Sequence, residues 1–220
     1  MELHIGNISE VLSLIIAIRY YPYLKGTFMK WFLPFLFFIC CAEFIMKYQW
    51  SVLHKPPIAI NYLIGIVEIL FYSYIFYESS SHLILRKLIC CFIPLSILSF
   101  SISYYTDSSS YVYFIPNIVV SGFLLAAIAL INVYLIYLAE EELNLISEPV
   151  FWIALGVSLF FSSISLSFSL YNLIRLNHLK LFGLNLYSLI PRLSSVILYS
   201  SISIAIILCK HQKKISSSQS

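Results

Sequence analysis

The sequence predicts an all-α fold: a polytopic membrane protein, a seven-transmembrane-helix bundle with its N-terminus outside and its C-terminus cytoplasmic. Three observations carry this expectation. Of 220 residues, 60% are hydrophobic and only 10% charged, with mean hydropathy +0.91, whereas soluble domains carry about a quarter charged residues. Folded in water, such a chain would expose large apolar patches, so lipid is the solvent for much of its surface. Second, seven apolar runs are long enough to span a bilayer at about 1.5 Å of rise per residue. They cover roughly 4–22, 30–48, 60–78, 86–105, 112–138, 149–173 and 186–209, leaving 210–220 as a polar cytoplasmic tail read as unstructured. Third, the short connections carry an asymmetric basic charge. With the amino terminus outside, Arg19, Lys25, Lys30, Arg86, Lys87, Lys210, Lys213 and Lys214 fall on the cytoplasmic side, against Lys47, Lys55, Arg175 and Lys180 outside. Basic residues are retained on the cytoplasmic side, which sets the orientation and places the chain in the cytoplasmic (inner) membrane.

Taken in order, the first run lacks the basic segment and small-residue cleavage site of a signal peptide, so it reads as a retained helix. Its Asn7-Ile8-Ser9 fits the glycosylation pattern but lies too close to the bilayer for that role. Pro34, Pro94 and Pro191 lie inside runs two, four and seven, where membrane bundles tolerate kinks. The third run, INYLIGIVEILFYSYIFYE, is nearly unbroken and holds a single interior acid, Glu68. In run six, Ala154, Ser158 and Ser162 recur every four residues, a small-residue face that lets helices approach closely. Tyr20, Tyr21, Tyr23, Trp31, Trp50, Tyr104, Tyr105, Tyr111 and Tyr113 gather near run ends, at headgroup level. The cysteine pairs Cys40-Cys41 and Cys90-Cys91, with Cys209, match neither a zinc spacing nor a disulfide framework, and read as small packing residues. No duplicated motif marks an internal repeat of the transporter kind.

Ionisable groups inside a bilayer are expensive and mark functional sites by default. Four occur here at similar depth: Glu10 about 9 Å from the outer end of its run, Glu43 about 7 Å, Glu68 about 12 Å and Arg192 about 9 Å. They suggest one polar chamber opening outward. Arg192 cannot lose its proton, so it calls for a carboxylate, with Glu43 or Glu68 the natural partner. Asn61 and Asn117 lie near the same mouth and could add hydrogen bonds. A buried ion pair that fixes helix register is the plainer reading of the same residues. Glu140, Glu141, Glu142 and Glu148 gather in one cytoplasmic turn, either a solvated loop or a docking surface for a cytoplasmic partner. The histidines lie in loops and at run ends, without metal spacing.

Several chemistries lack their residues. There is no HExxH, GxSxG, phosphate-binding Gly-rich loop or CxxC. The one aspartate, Asp107, sits in a loop, and the last run has no lysine for a Schiff base. The expectation is a non-enzymatic chain with no cofactor and no metal. Its scattered basic residues give no stripe for nucleic acid.

Pro34-Phe35, Ala42-Glu43, the segment from Asn61-Tyr62 to Phe71-Tyr72 around Glu68, and Pro149-Val150-Phe151-Trp152-Ile153 with Gly156 together resemble a family of uncharacterised seven-helix integral membrane proteins of Bacteroidota. These are often encoded next to sensor histidine kinases. The last helix departs from that pattern, with Ser194-Ser195-Val196-Ile197-Leu198-Tyr199 where an Asn-Ile pair would precede the aromatic. The resemblance implies a sensory or signalling role beside a cytoplasmic kinase and names no ligand. The expected function is therefore a membrane sensor or signalling subunit. The alternatives are a small-solute or ion transporter using its intramembrane glutamates and a structural subunit of a larger membrane assembly.

Overall fold

The structure, a computed structural model, describes residues 5–54, 57–106, 114–139, 145–171, 180–181 and 184–218. Seven long helices are present among them: α1 (Ile5–Leu24), α2 (Phe32–Ser51), α3 (Ile58–Ser79), α4 (Leu83–Thr106), α5 (Phe114–Ala139), α6 (Pro149–Ser169) and α7 (Leu186–Ser218). Six of the seven are long and apolar enough to cross a membrane. The remaining one, α1, carries Glu10 and Arg19 within its twenty residues. The chain is thus a multi-pass helical membrane protein. The seven runs read from the sequence fall on these helices, with one extension. Residues 211–218 continue α7 as helix rather than forming an unstructured tail. No Pro or Gly interrupts that stretch, and Gln212 is tied to the start of α6 through the Ser147 carbonyl and Glu148 Oε1, both at 3.3 Å.

Side-chain contacts fix an up-and-down order. Tyr62 of α3 meets Phe100 and Tyr104 of α4 edge to face, while at the other end Arg86 stacks on Tyr77 and donates to its carbonyl. Gln212 meets residues 147 and 148 at one end of the α6–α7 pair, and Gly156 meets Ser201 further along. The first and last helices run parallel: the Ser13 hydroxyl donates to the Tyr199 carbonyl at 2.6 Å, and Lys210 lies over the Tyr20 ring. The bundle is closed by this α1–α7 contact, with α6 against α7 and α5. Its two ends are here called the amino-terminal face, where α1 begins, and the carboxyl-terminal face, where α7 ends.

The interior is aromatic on one side and small on the other. Phe35 and Phe71 stack at 3.8 Å between centroids, with Tyr72 edge-on to both and to Phe161. The small side runs along α6: Ala154 and Ser158 are buried as the four-residue spacing requires, and Gly156 also lies close against α7. The cysteines fill their expected packing role only in part: Cys209 packs against the core. Cys41, Cys90 and Cys91 are exposed on the helix surface and Cys40 and Cys209 are partly buried, all with free thiols.

Asn132 of α5 is buried and donates to Ser79 Oγ of α3 at 3.1 Å, with the Phe76 carbonyl at 3.5 Å. Interhelical hydrogen bonds in bilayers contribute about 0.6 to 1.7 kcal/mol. Asn132→Leu is expected to lower the thermal midpoint in detergent by an amount equivalent to about 1 kcal/mol. An unchanged midpoint would remove this bond from what holds α3 to α5.

Candidate functional site

Two of the predicted acids, Glu10 and Glu43, meet, and Glu68 lies within electrostatic range of both. On α1, Asn7 and Glu10 are three residues apart and so share a face. Asn7 donates a hydrogen bond from its side-chain amide to Glu43 of α2. The Glu43 carboxyl and the Cys40 thiol are the polar side chains that reach Glu10, and Glu43 and Glu10 are the acids within electrostatic range of Glu68 on α3. Glu10 is 2% exposed, and its Oε1 has no hydrogen-bond partner. Glu68 is partly buried, while Glu43 is the most open of the three, with 32% of its side chain exposed. Two phenols complete the neighbourhood. Tyr72, one turn along α3 from Glu68, is fully buried with an unpartnered hydroxyl; Tyr199 of α7 is buried within range of all three acids and of Tyr72.

Among the described residues the cation that joins this group is Lys47, whose Nζ lies 3.7 Å from Glu43 Oε2 in an i,i+4 pair with side chains 41% and 32% exposed. At that exposure the pair contributes at most about 1 kcal/mol. Sequence reasoning missed Lys47, Asn7, Tyr72 and Tyr199. Helical spacing carries the signal for all but the last: Asn7–Glu10, Glu43–Lys47 and Glu68–Tyr72 are i,i+3 or i,i+4 pairs.

The expected Arg192 partnership is corrected by the structure. Arg192 makes no ion pair with Glu10, Glu43 or Glu68. The register of the parallel α1–α7 pair explains why. Ser13 meets Tyr199 and Ser203, so Glu10, three residues earlier, stands level with residues near 198. Arg192 then lies about 9 Å nearer the amino-terminal face, where a long side chain can keep its charge in the interface. Asn61 is two turns above Glu68 on the same face of α3, about 10 Å toward that end, and so stands at the mouth rather than in the cluster. Asn117 belongs elsewhere. Its amide donates to the Ser103 hydroxyl and to the Ser99 carbonyl at 3.1 Å, and its Oδ1 accepts from Ser99 Oγ, so it joins α5 to α4. Of the acidic turn, Glu148 precedes Pro149 at the start of α6 and accepts from Gln212; Glu140, Glu141 and Glu142 lie outside the described residues.

The chemistry follows from charge. Three carboxyls against one partly exposed ammonium leave two negative charges unmatched when all are ionised. Each unmatched charge in a low-dielectric interior costs several kcal/mol. Added positive charge would offset this cost. Among the described residues no group of three or more His, Cys, Asp or Glu is arranged to hold a metal ion. Comparison with protein-family models, with curated proteins and with solved structures finds no match for this chain.

Proposed function

We propose that the chain is a membrane sensor or signalling subunit whose outer-half carboxyl cluster responds to protons, or to a small cationic solute, reaching it from outside. In this reading the amino terminus lies outside the cytoplasmic membrane and the carboxyl terminus inside, as the basic residues of the connections suggest. The observation that carries it is that Glu43 of α2 reaches Glu10 of α1 and both lie within electrostatic range of Glu68 of α3, with no guanidinium paired to these acids among the described residues. Taking up a proton relieves repulsion between α1, α2 and α3. A response requires two arrangements of the bundle with different affinity for that proton. The Ser13–Tyr199 and Ser13–Ser203 bonds connect the cluster's helix to α7. Gln212 then links α7 to the turn before α6, the surface offered to a cytoplasmic partner such as a signalling kinase.

The test is thermal stability of the purified protein in lipid nanodiscs between pH 8 and pH 5. Acidification supplies the missing positive charge, so the midpoint of the native chain rises, while the Glu10→Gln/Glu68→Gln double variant stays flat. A native chain with no pH response would end this reading. Transport is the second reading, favoured by the unpartnered Glu10 Oε1, since a carboxyl not locked in an ion pair can exchange its cation. Proton-dependent uptake into proteoliposomes, abolished by Glu68→Gln, would replace sensing with transport.

A further inference from the structure

α4 and α5 each pack closely against a further helix. α4 is drawn onto α3, with the Phe100 ring fully buried against Gly65: a Cβ there would stand 2.9 Å from the ring edge. α5 is drawn onto α6 at Gly122, where a Cβ would overlap Ser165 Oγ and stand 3.4 Å from the Phe161 carbonyl. The hydrogen bonds joining α4 to α5 gather toward the amino-terminal end, at Asn117, Ser99 and Ser103. Beyond them a groove of about 560 Å³ runs between the two helices, reaching Leu88 on α4 and Ile131 on α5.

The groove is polar at one end only. Ser96, Ser99, Asn117 and Ser121 line the portion nearest the amino-terminal face, and the portion toward Leu88 and Ile131 is aliphatic and aromatic apart from the Cys91 thiol. No charged side chain lines it. From Asn117 to Ile131 the groove spans about 21 Å of helix. A volume of about 560 Å³ over that length leaves a mean cross-section of roughly 27 Å². A packed helix is about 10–12 Å across, about twice too wide. The width suits one hydrocarbon chain, and the polar end suits an uncharged hydrogen-bonding group attached to it.

We propose that this groove seats one acyl chain of a membrane lipid, with the lipid's ester linkage at the level of Ser99 and Asn117 and its tail directed toward Ile131. The site is separate from the carboxyl cluster and stands whether or not that cluster senses protons. Because α5 is wedged between α4 and α6, the seated chain fills the gap that its attachments to α3 and α6 leave open.

Ala127 is exposed in the wall of the groove, and Leu130, also exposed, lies on α5 outside it. Ala127→Trp fills the groove without entering the core; Leu130→Trp is the matched control. The probe is a phosphatidylethanolamine carrying a diazirine on one palmitoyl chain, included in phosphatidylethanolamine nanodiscs, with labelled residues mapped by mass spectrometry. Native protein and Leu130→Trp are expected to label preferentially within the groove, and Ala127→Trp to lose about tenfold of that labelling, the equivalent of about 1.4 kcal/mol. Native mass spectrometry should show one retained lipid in the first two and none in the third. Uniform labelling over all lipid-facing helices, groove labelling unchanged in Ala127→Trp, or a dimer that buries the groove would each overturn the assignment.

Discussion

Gly156→Leu is expected to be the most destabilising single change in the bundle. The glycine sits where α6 and α7 approach closely: a Cβ at this position would lie 2.7 Å from Ser201 Cβ and 3.4 Å from the Leu198 Cα. The first obstacle is a side chain that has no length to swing aside, and the second is backbone. Accommodating even a methyl group means moving α7, which is also held by α1 through Ser13 and by the α6 start through Gln212. Overpacking a well-filled core costs about 1–3 kcal/mol, occasionally more. Gly156→Ala should fall within that range and Gly156→Leu at or beyond its upper end. The measurement is the thermal midpoint and the yield of monodisperse protein in detergent, with Leu159→Ala, on the exposed side of α6, as the control expected to change little. A Gly156→Leu protein as stable as the native chain would mean that α6 and α7 are not tightly packed here.

Much of this architecture was legible because lipid imposes a coarse rule that composition reveals directly. The lengths of the apolar runs place all seven helices, since a spanning segment must satisfy its backbone internally. What sequence could not give was register. Depth counted from the ends of runs put Arg192 level with Glu10, but level is set by which side chains of α1 and α7 touch, and those are Ser13, Tyr199 and Ser203. Rotation was equally hidden. Asn117 lies near the right end of the bundle, yet it faces α4 and its serines rather than the acids. Glu10, Glu43 and Glu68 were found because a carboxyl in an apolar run is conspicuous anywhere. Tyr72 and Tyr199 were not, because a tyrosine in such a run is ordinary until its neighbours are known.

The second large effect runs in two directions at once. Glu10→Gln keeps the shape of the side chain and removes one of the charges that nothing in the cluster balances. Its Oε1 is buried without a partner at 2% exposure, and leaving a buried polar group unsatisfied costs about 1–3 kcal/mol, more when it is charged. An amide also brings a donor that the neighbouring Glu43 carboxyl can accept. Glu10→Gln is therefore expected to raise stability at pH 8 by about 1–3 kcal/mol while removing most of the response to acidification. A purely structural acid would behave in the opposite way: its loss would lower stability and leave the pH response intact. Glu10→Leu separates the two contributions, since it removes the charge and the hydrogen bond together. If both variants destabilise the protein at pH 8 and both still respond to acid, Glu10 is held by interactions that compensate its charge, and the cluster has no unmet need for a proton. If Glu10→Gln stabilises and silences the chain, the native protein retains a costly buried carboxyl because its protonation is what the bundle responds to.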